Sequence, residues 1–143
     1  MFIGEYQHTI DDKGRVSVPV KFRDDLAKGS VLTRGLDRCL WLYSQSEWER
    51  IAEGVSKLPV TSKNARSFAR FVLSGAMDLK LDKAGRVNIP KYLADYAGIK
   101  GRVVVAGMYN RLELWAEENW NAFKKEMEDN SDEVAENLSE IGF

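Results

Sequence analysis

Apolar and polar side chains alternate from the first residues. Phe2, Tyr6, His8 and Ile10 occupy even positions with mostly polar residues between them, so 2–10 reads as a half-buried strand. Asp12-Lys13-Gly14 then marks a turn in which Gly14 can adopt the positive φ of a tight hairpin, and Arg15 to Val18 is expected to return beside the first strand. Pro19 suits the first turn of a short helix carrying Phe22 and Leu26 and ending near Gly29. Val31–Thr33 and Cys39–Tyr43 form a second apolar strand pair around Gly35-Leu36-Asp37-Arg38. Ser44 with Glu47 makes a capping box that opens a helix with Trp48, Ile51, Ala52, Val55 and Leu58 on one face, stopped by Pro59. A further helix, capped by Thr61 or Ser62, runs to Gly75.

The pattern then starts again. Leu81-Asp82-Lys83-Ala84-Gly85-Arg86-Val87-Asn88-Ile89-Pro90 repeats Ile10-Asp11-Asp12-Lys13-Gly14-Arg15-Val16-Ser17-Val18-Pro19 at a shift of 71 positions. Leu40, Leu42, Tyr43 and Trp48 recur as Leu112, Leu114, Trp115 and Trp120 at a shift of 72, so the second copy holds one extra residue between Pro90 and Gly107. Pro90–Ala97 is its short helix with Gly98 just beyond, Arg102–Ala106 and Arg111–Trp115 its later strands, and Trp120, Phe123 and Met127 mark its closing helix. Two copies of about 70 residues exceed any solenoid unit and read as a duplicated module packed about a pseudo-twofold axis. The expected organisation is a first module with its C-terminal helix (1–59), a bridging helix (60–75), a second module (76–130) and an acidic tail (131–143) that frays.

At 143 residues a single shared core is possible, whereas either half alone would be marginal. No apolar run approaches a membrane span and no secretory leader is visible, so a soluble cytoplasmic protein is expected. The lone Cys39 falls in an apolar strand and is expected to be a buried packing residue in a reducing compartment. The net charge of −1 hides an asymmetry: residues 1–112 hold 19 basic and 12 acidic side chains, and residues 113–143 hold 2 basic and 10 acidic. A body at +7 beside a stretch at −8 points to a polyanionic partner for the body.

The candidate chemistry is binding rather than catalysis. One histidine and one cysteine are too few for a zinc cluster, and neither a phosphate loop nor a nucleophile elbow is present. No metal, cofactor or small-molecule substrate is therefore expected. His8 matches Leu79 in the other copy and reads as a strand histidine with its nitrogens satisfied. Asp11 and Asp82 each precede an arginine by four positions, where a carboxylate can cap the turn and orient the guanidinium. Lys13, Gly14 and Arg15, and likewise Lys83, Gly85 and Arg86, place two cations on a tip whose glycine allows close backbone approach. Arginine can bond the O6/N7 edge of guanine or a phosphate, and lysine suits phosphate. Lys21, Arg23 and Lys91 would extend the positive strip. The competing reading is an oligomeric protein-interaction scaffold built on Trp41, Trp48, Trp115, Trp120 and the acidic tail.

The opening Met1–Pro19 with its echo at Leu81–Pro90 resembles the MraZ family, related to the SpoVT/AbrB-type swapped-hairpin regulators, over essentially the whole chain. The resemblance implies an α+β fold of two tandem SpoVT/AbrB-like modules forming a double-split β-barrel with flanking helices, both halves supplied by one chain. It implies a non-enzymatic, DNA-binding transcriptional regulator, read here as a repressor. Such a protein is nucleoid-associated, assembles as a homo-oligomeric ring, and meets short repeated boxes in the promoter of the bacterial cell division and cell wall genes. Asp11 with Arg15 and Asp82 with Arg86 occupy the family's two Asp-x-x-x-Arg motifs. Ala84 stands where the first copy has Lys13, so the tips are expected to contribute unequally, with Lys13 and Arg15 the stronger pair.

Overall fold

In the computed structural model, which describes residues 1–142, the opening alternation folds as β1 (Phe2–Thr9), burying Phe2 and half-burying Tyr6 and His8 on one face. The next strand, β2 (Arg15–Ser17), does not return beside β1 as a local hairpin would. It pairs antiparallel with its counterpart in the second copy, β6 (Arg86–Asn88), with Val16 opposite Val87. The other first-copy strands are β3 (Ser30–Arg34) and β4 (Leu40–Ser44), paired with each other as expected. In the second copy they correspond to β7 (Arg102–Tyr109) and β8 (Leu112–Ala116), and β1 corresponds to β5 (Met77–Leu79).

Each copy's first strand is given to the other copy. β1 pairs with β7 along its whole length, and β5 pairs with β3. The result is a mixed α+β fold with a six-stranded antiparallel sheet in the order β1-β7-β8-β4-β3-β5 and the β2–β6 ribbon as a second sheet. The pseudo-twofold axis passes through two contacts between equivalent positions, Val16 with Val87 in the ribbon and Trp41 with Glu113 where β4 meets β8. Among the described residues the sheet pairing ends at β1 and β5 and forms no closed barrel.

Exchange of strands follows from size. A 70-residue half buries a small share of its surface and is marginal alone, so pooling both halves is favoured. The main core accordingly draws Phe2, Val16, Phe22 and Leu42 from the first copy and Val87, Leu93, Val105 and Leu114 from the second. A smaller cluster on the opposite face of the sheet joins Cys39, Val104 and Trp115, with Trp41 and Trp120 packed on it. Cys39 is buried as expected, and burial, with the Glu113 carboxylate nearby, pushes its thiol pKa far up, so it stays protonated.

The helices surround these layers. A 3-10 turn (Val20–Phe22) leads into α1 (Arg23–Leu26), which buries Leu26. Only the serine half of the capping box forms: the Glu47 N–H donates to Ser44 Oγ at 3.3 Å and opens α2 (Gln45–Ser56), while Glu47 Oε1 accepts from Arg50 and Asn110. Ser62, not Thr61, caps α3 (Lys63–Gly75), accepting the Ala65 N–H at 3.2 Å. α4 (Lys91–Ala97) follows Pro90 and stops at Gly98, whose φ is 65°. α5 (Glu117–Asn137) carries Trp120 and Phe123 against Trp115 and breaks at Asn130 (φ −125°, ψ 15°). Where fraying was expected beyond Asn130, the helix continues to Asn137, its residues exposed. Among the described residues no helix is long and apolar enough to cross a membrane.

Candidate nucleic-acid interface

The two Asp-x-x-x-Arg segments build the same turn. In the first, the Asp11 N–H donates to the Arg15 carbonyl at 3.1 Å and the Gly14 N–H donates to the Asp11 carbonyl at 3.0 Å. Gly14 takes φ 83° there, and a Cβ on it would stand 2.9 Å from the Ile89 carbonyl oxygen. Asp11 Oδ1 accepts the N–H groups of Lys13 (3.0 Å) and Arg15 (2.8 Å), and Oδ2 accepts Arg15 Nε–H at 2.7 Å. In the second, Asp82 Oδ1 accepts the N–H groups of Ala84 and Arg86, both at 2.9 Å, and Oδ2 accepts Arg86 Nε–H at 2.8 Å. Gly85 takes φ 78°.

Each carboxylate therefore performs two tasks. It ties the turn backbone and grips the guanidinium by Nε, and among the described residues both Nη nitrogens of each arginine are left without hydrogen-bond partners. Three N–H donors hold each aspartate below its ordinary pKa of 3.8, the backbone N–H of the motif arginine contributing most. A depressed folded pKa means the carboxylate's contribution is complete above 3.8 and is lost only as the pH falls through the lowered value. Carboxyl resonances of Asp11 and Asp82 are expected to titrate below 3.8, with the tips unchanged from neutral to mildly acidic pH; titration at or above 3.8 contradicts the grip. Replacing Asp11 with Ala is expected to loosen the first tip and weaken duplex binding while the melting transition remains, which paired binding and melting curves would check.

The ribbon decides where the arginines point. Val16 and Val87 are buried, so Arg15 and Ser17, and Arg86 and Asn88, lie on the outward face. Arg15 pairs with Asn88 and Ser17 with Arg86. The two arginines are thus diagonal neighbours, with Cα atoms about 7–8 Å apart by ordinary strand geometry. Lys13 and Lys83 stand exposed on the tips beyond them. Asn88 and Ser17, unremarked in the sequence beyond being polar, are placed on the same face; their alternation with buried β-branched residues was the available signal.

The proposed extensions of the positive strip fare differently. Lys21 lies over the Tyr6 and Phe22 rings, 5.3 and 5.2 Å from their centroids. Lys91 pairs with Asp95 at 2.7 Å, and Arg23 turns back to donate through Nε to the Val18 carbonyl at 2.8 Å. His8 is not the satisfied histidine expected, because among the described residues its buried Nε2 has no partner. Burial and then the Arg23 charge lower its pKa, which keeps it neutral.

The acidic balance also needs revision. Glu113 belongs to β8 and is 8% exposed. It accepts Trp41 Nε1–H at 3.0 Å, Trp115 Nε1–H at 3.1 Å and Arg111 Nη2–H at 2.9 Å. It is a structural charge, so the tail proper, from Glu117 onward, carries nine acidic and two basic residues, a balance of −7.

Comparison with known proteins bears on what such an arrangement is for. A family model, MraZ protein, matches twice, over residues 1–71 and 72–140. The chain belongs to the MraZ family. The two matches meet at 71/72 and divide the chain into the two copies that exchange strands. A relative from Ligilactobacillus salivarius is 50% identical over 138 residues, covering 96% of both chains, and is named Transcriptional regulator MraZ. A relative from Halothermothrix orenii with the same name is 44% identical over 142 residues, covering 99% of both chains. Membership of the MraZ family agrees with the resemblance read from the two motifs.

Proposed function

We propose that this protein is a DNA-binding transcriptional regulator that presents the β2–β6 ribbon to duplex DNA. The observation that carries this reading is the cross-copy pairing of Val16 with Val87, which sets both motif arginines on one outward face. A two-stranded ribbon fits a major groove about 12 Å wide. Arg15 and Arg86 contact base edges or phosphate through their unpaired Nη groups, and Lys13 and Lys83 contact phosphate. Gly14 and Gly85 allow the backbone to approach, while Asp11 and Asp82 hold the arginines in place. Asn88 adds a group suited to the N6/N7 edge of adenine. The relatives' printed name, Transcriptional regulator MraZ, supports the same reading.

The finer features belong to the same proposal. The chain acts as a repressor at repeated boxes in the promoter of the cell division and cell wall genes, in the cytoplasm and associated with the nucleoid. Its modules are 1–59 and 76–130, bridged by 60–75 and followed by the tail 131–143. The exchanged strands and inner ribbon are read as the double-split barrel of the SpoVT/AbrB type. Subunits form a homo-oligomeric ring, in which several ribbons gain affinity through effective concentration. Exposed Ile3 and Met108, cross-strand partners at the β1 edge, and Tyr109 beside them support association there.

The test is a mobility shift across a salt series with the DNA upstream of the protein's own gene. Binding that resists nonspecific competitor, with log K falling linearly and steeply against log salt, is expected. No binding at low salt by the folded protein favours the interaction scaffold instead.

A further inference from the structure

The two tips are built alike but are not held alike. Each is clamped to the other copy by one backbone bond: the Val18 N–H donates to the Gly85 carbonyl at 2.9 Å, and the Ile89 N–H donates to the Gly14 carbonyl at 2.7 Å. The side chain near Gly14 is the short Asn88 amide, whose Oδ1 would stand 3.1 Å from a Cβ there, whereas at the second tip a guanidinium covers the glycine. Arg23 spans back to the Val18 carbonyl, and a Cβ on Gly85 would overlap its Cδ, Nε and Cζ. Gly85 is consequently buried beneath Arg23, whereas Gly14 is only half-buried. The position equivalent to Arg23, at the same shift of 71, is Ala94. Among the described residues no guanidinium crosses the first tip, and an open cleft of about 670 Å³ remains there, lined by Lys13, Gly14, Ile89, Ala94 and Ile99 among others.

We propose that Arg23 is a positioning residue that holds the second tip in its DNA-reading shape, and that alanine at position 94 leaves the first tip free to adapt on binding. The proposal rests on the reading of the tips as DNA contacts. It reverses the order suggested by the motifs alone: the first tip has the better-placed lysine, but the second, its arginine gripped by aspartate as in the first, also has its turn backbone braced. A braced turn loses less freedom on engagement, so the second tip contributes more to discrimination between sequences. The first tip contributes sequence-tolerant phosphate contact through Lys13. Lysine cannot replace Arg23, because the tip is covered by a guanidinium that is anchored through Nε to the Val18 carbonyl and lies over Gly85.

The experiment is hydrogen exchange on the full chain, comparing wild type with Arg23→Ala, Arg23→Lys and Ala94→Arg, followed by binding to promoter and nonspecific duplexes. Both Arg23 variants are expected to speed exchange over 82–88 and leave 11–16 and the β8 peptides unchanged. The ratio of specific to nonspecific affinity should fall roughly 5-fold or more, the low end of what one base-reading arginine supplies. A phosphate contact would instead weaken both duplexes together and be rescued by lysine. Ala94→Arg is expected to slow exchange over 11–16, and it decides the matter should Arg23→Ala unfold the chain. Unchanged exchange at both tips across the set overturns the proposal. Faster exchange over 82–88 with undiminished discrimination leaves Arg23 as a positioning residue and removes the second tip from the DNA contact.

Discussion

Replacing Arg15 and Arg86 together with alanine is expected to abolish sequence-specific duplex binding while leaving a folded protein. Each arginine uses Nε to hold its aspartate and leaves both Nη groups free among the described residues, so each can engage a base edge or phosphate. Loss of one base-reading arginine costs on the order of 1–3 kcal/mol, roughly 5- to 150-fold in affinity. The two are neighbours on one ribbon, so their effects need not add, but the double loss should exceed either single one. In an assembly with several ribbons the deficit recurs at every engaged site. The salt slope should fall as well, by about one for each phosphate that the variant no longer neutralises. Wild-type affinity in the double variant would remove the ribbon from DNA recognition. Folding should survive because the ribbon's core contribution comes from Val16 and Val87, not from its outward face.

The second large effect is on stability. Replacing Glu113 with Ala is expected to destabilise the chain by about 3 kcal/mol. The carboxylate lies at the pseudo-twofold axis opposite Trp41, accepts two indole N–H groups and pairs with Arg111. Its removal strands those donors in a mostly buried setting and leaves Arg111, also 5.2 Å from the Trp41 ring centroid, without its counter-ion. For a chain of this size the melting temperature should drop by roughly 10 °C. Glu113→Gln retains one acceptor oxygen and should lose less. A melting curve unchanged by Glu113→Ala would show that the network contributes nothing net.

These two sites mark what the sequence discloses. The Asp-x-x-x-Arg turns are legible because every bond in them spans four residues or fewer and the pattern occurs twice. The alternation of Arg15, Val16 and Ser17 also indicates correctly which side chains face outward. The strand partners are not legible. A three-residue strand has the same alternation beside β1 as it has beside β6, and only the shared core of two marginal halves selects the second. Composition places Glu113 with the acidic tail because it cannot separate a solvated carboxylate from one holding two buried indoles. Charge alone places Arg23 on the positive strip, since it does not reveal that the guanidinium turns back onto Gly85. The position of Ala94 shows the same limit, because an absent side chain leaves no motif.

The most direct test of the central claim, that the ribbon formed by both copies is the surface that meets DNA, is a hydrogen-exchange footprint of the full chain with and without its promoter duplex. Protection concentrated in 11–17 and 82–88, with α2 and α5 unchanged, is the predicted result. Protection confined to α5 and the Trp115–Trp120–Phe123 face, with both tips unaffected, would contradict the account and make the protein an interaction scaffold.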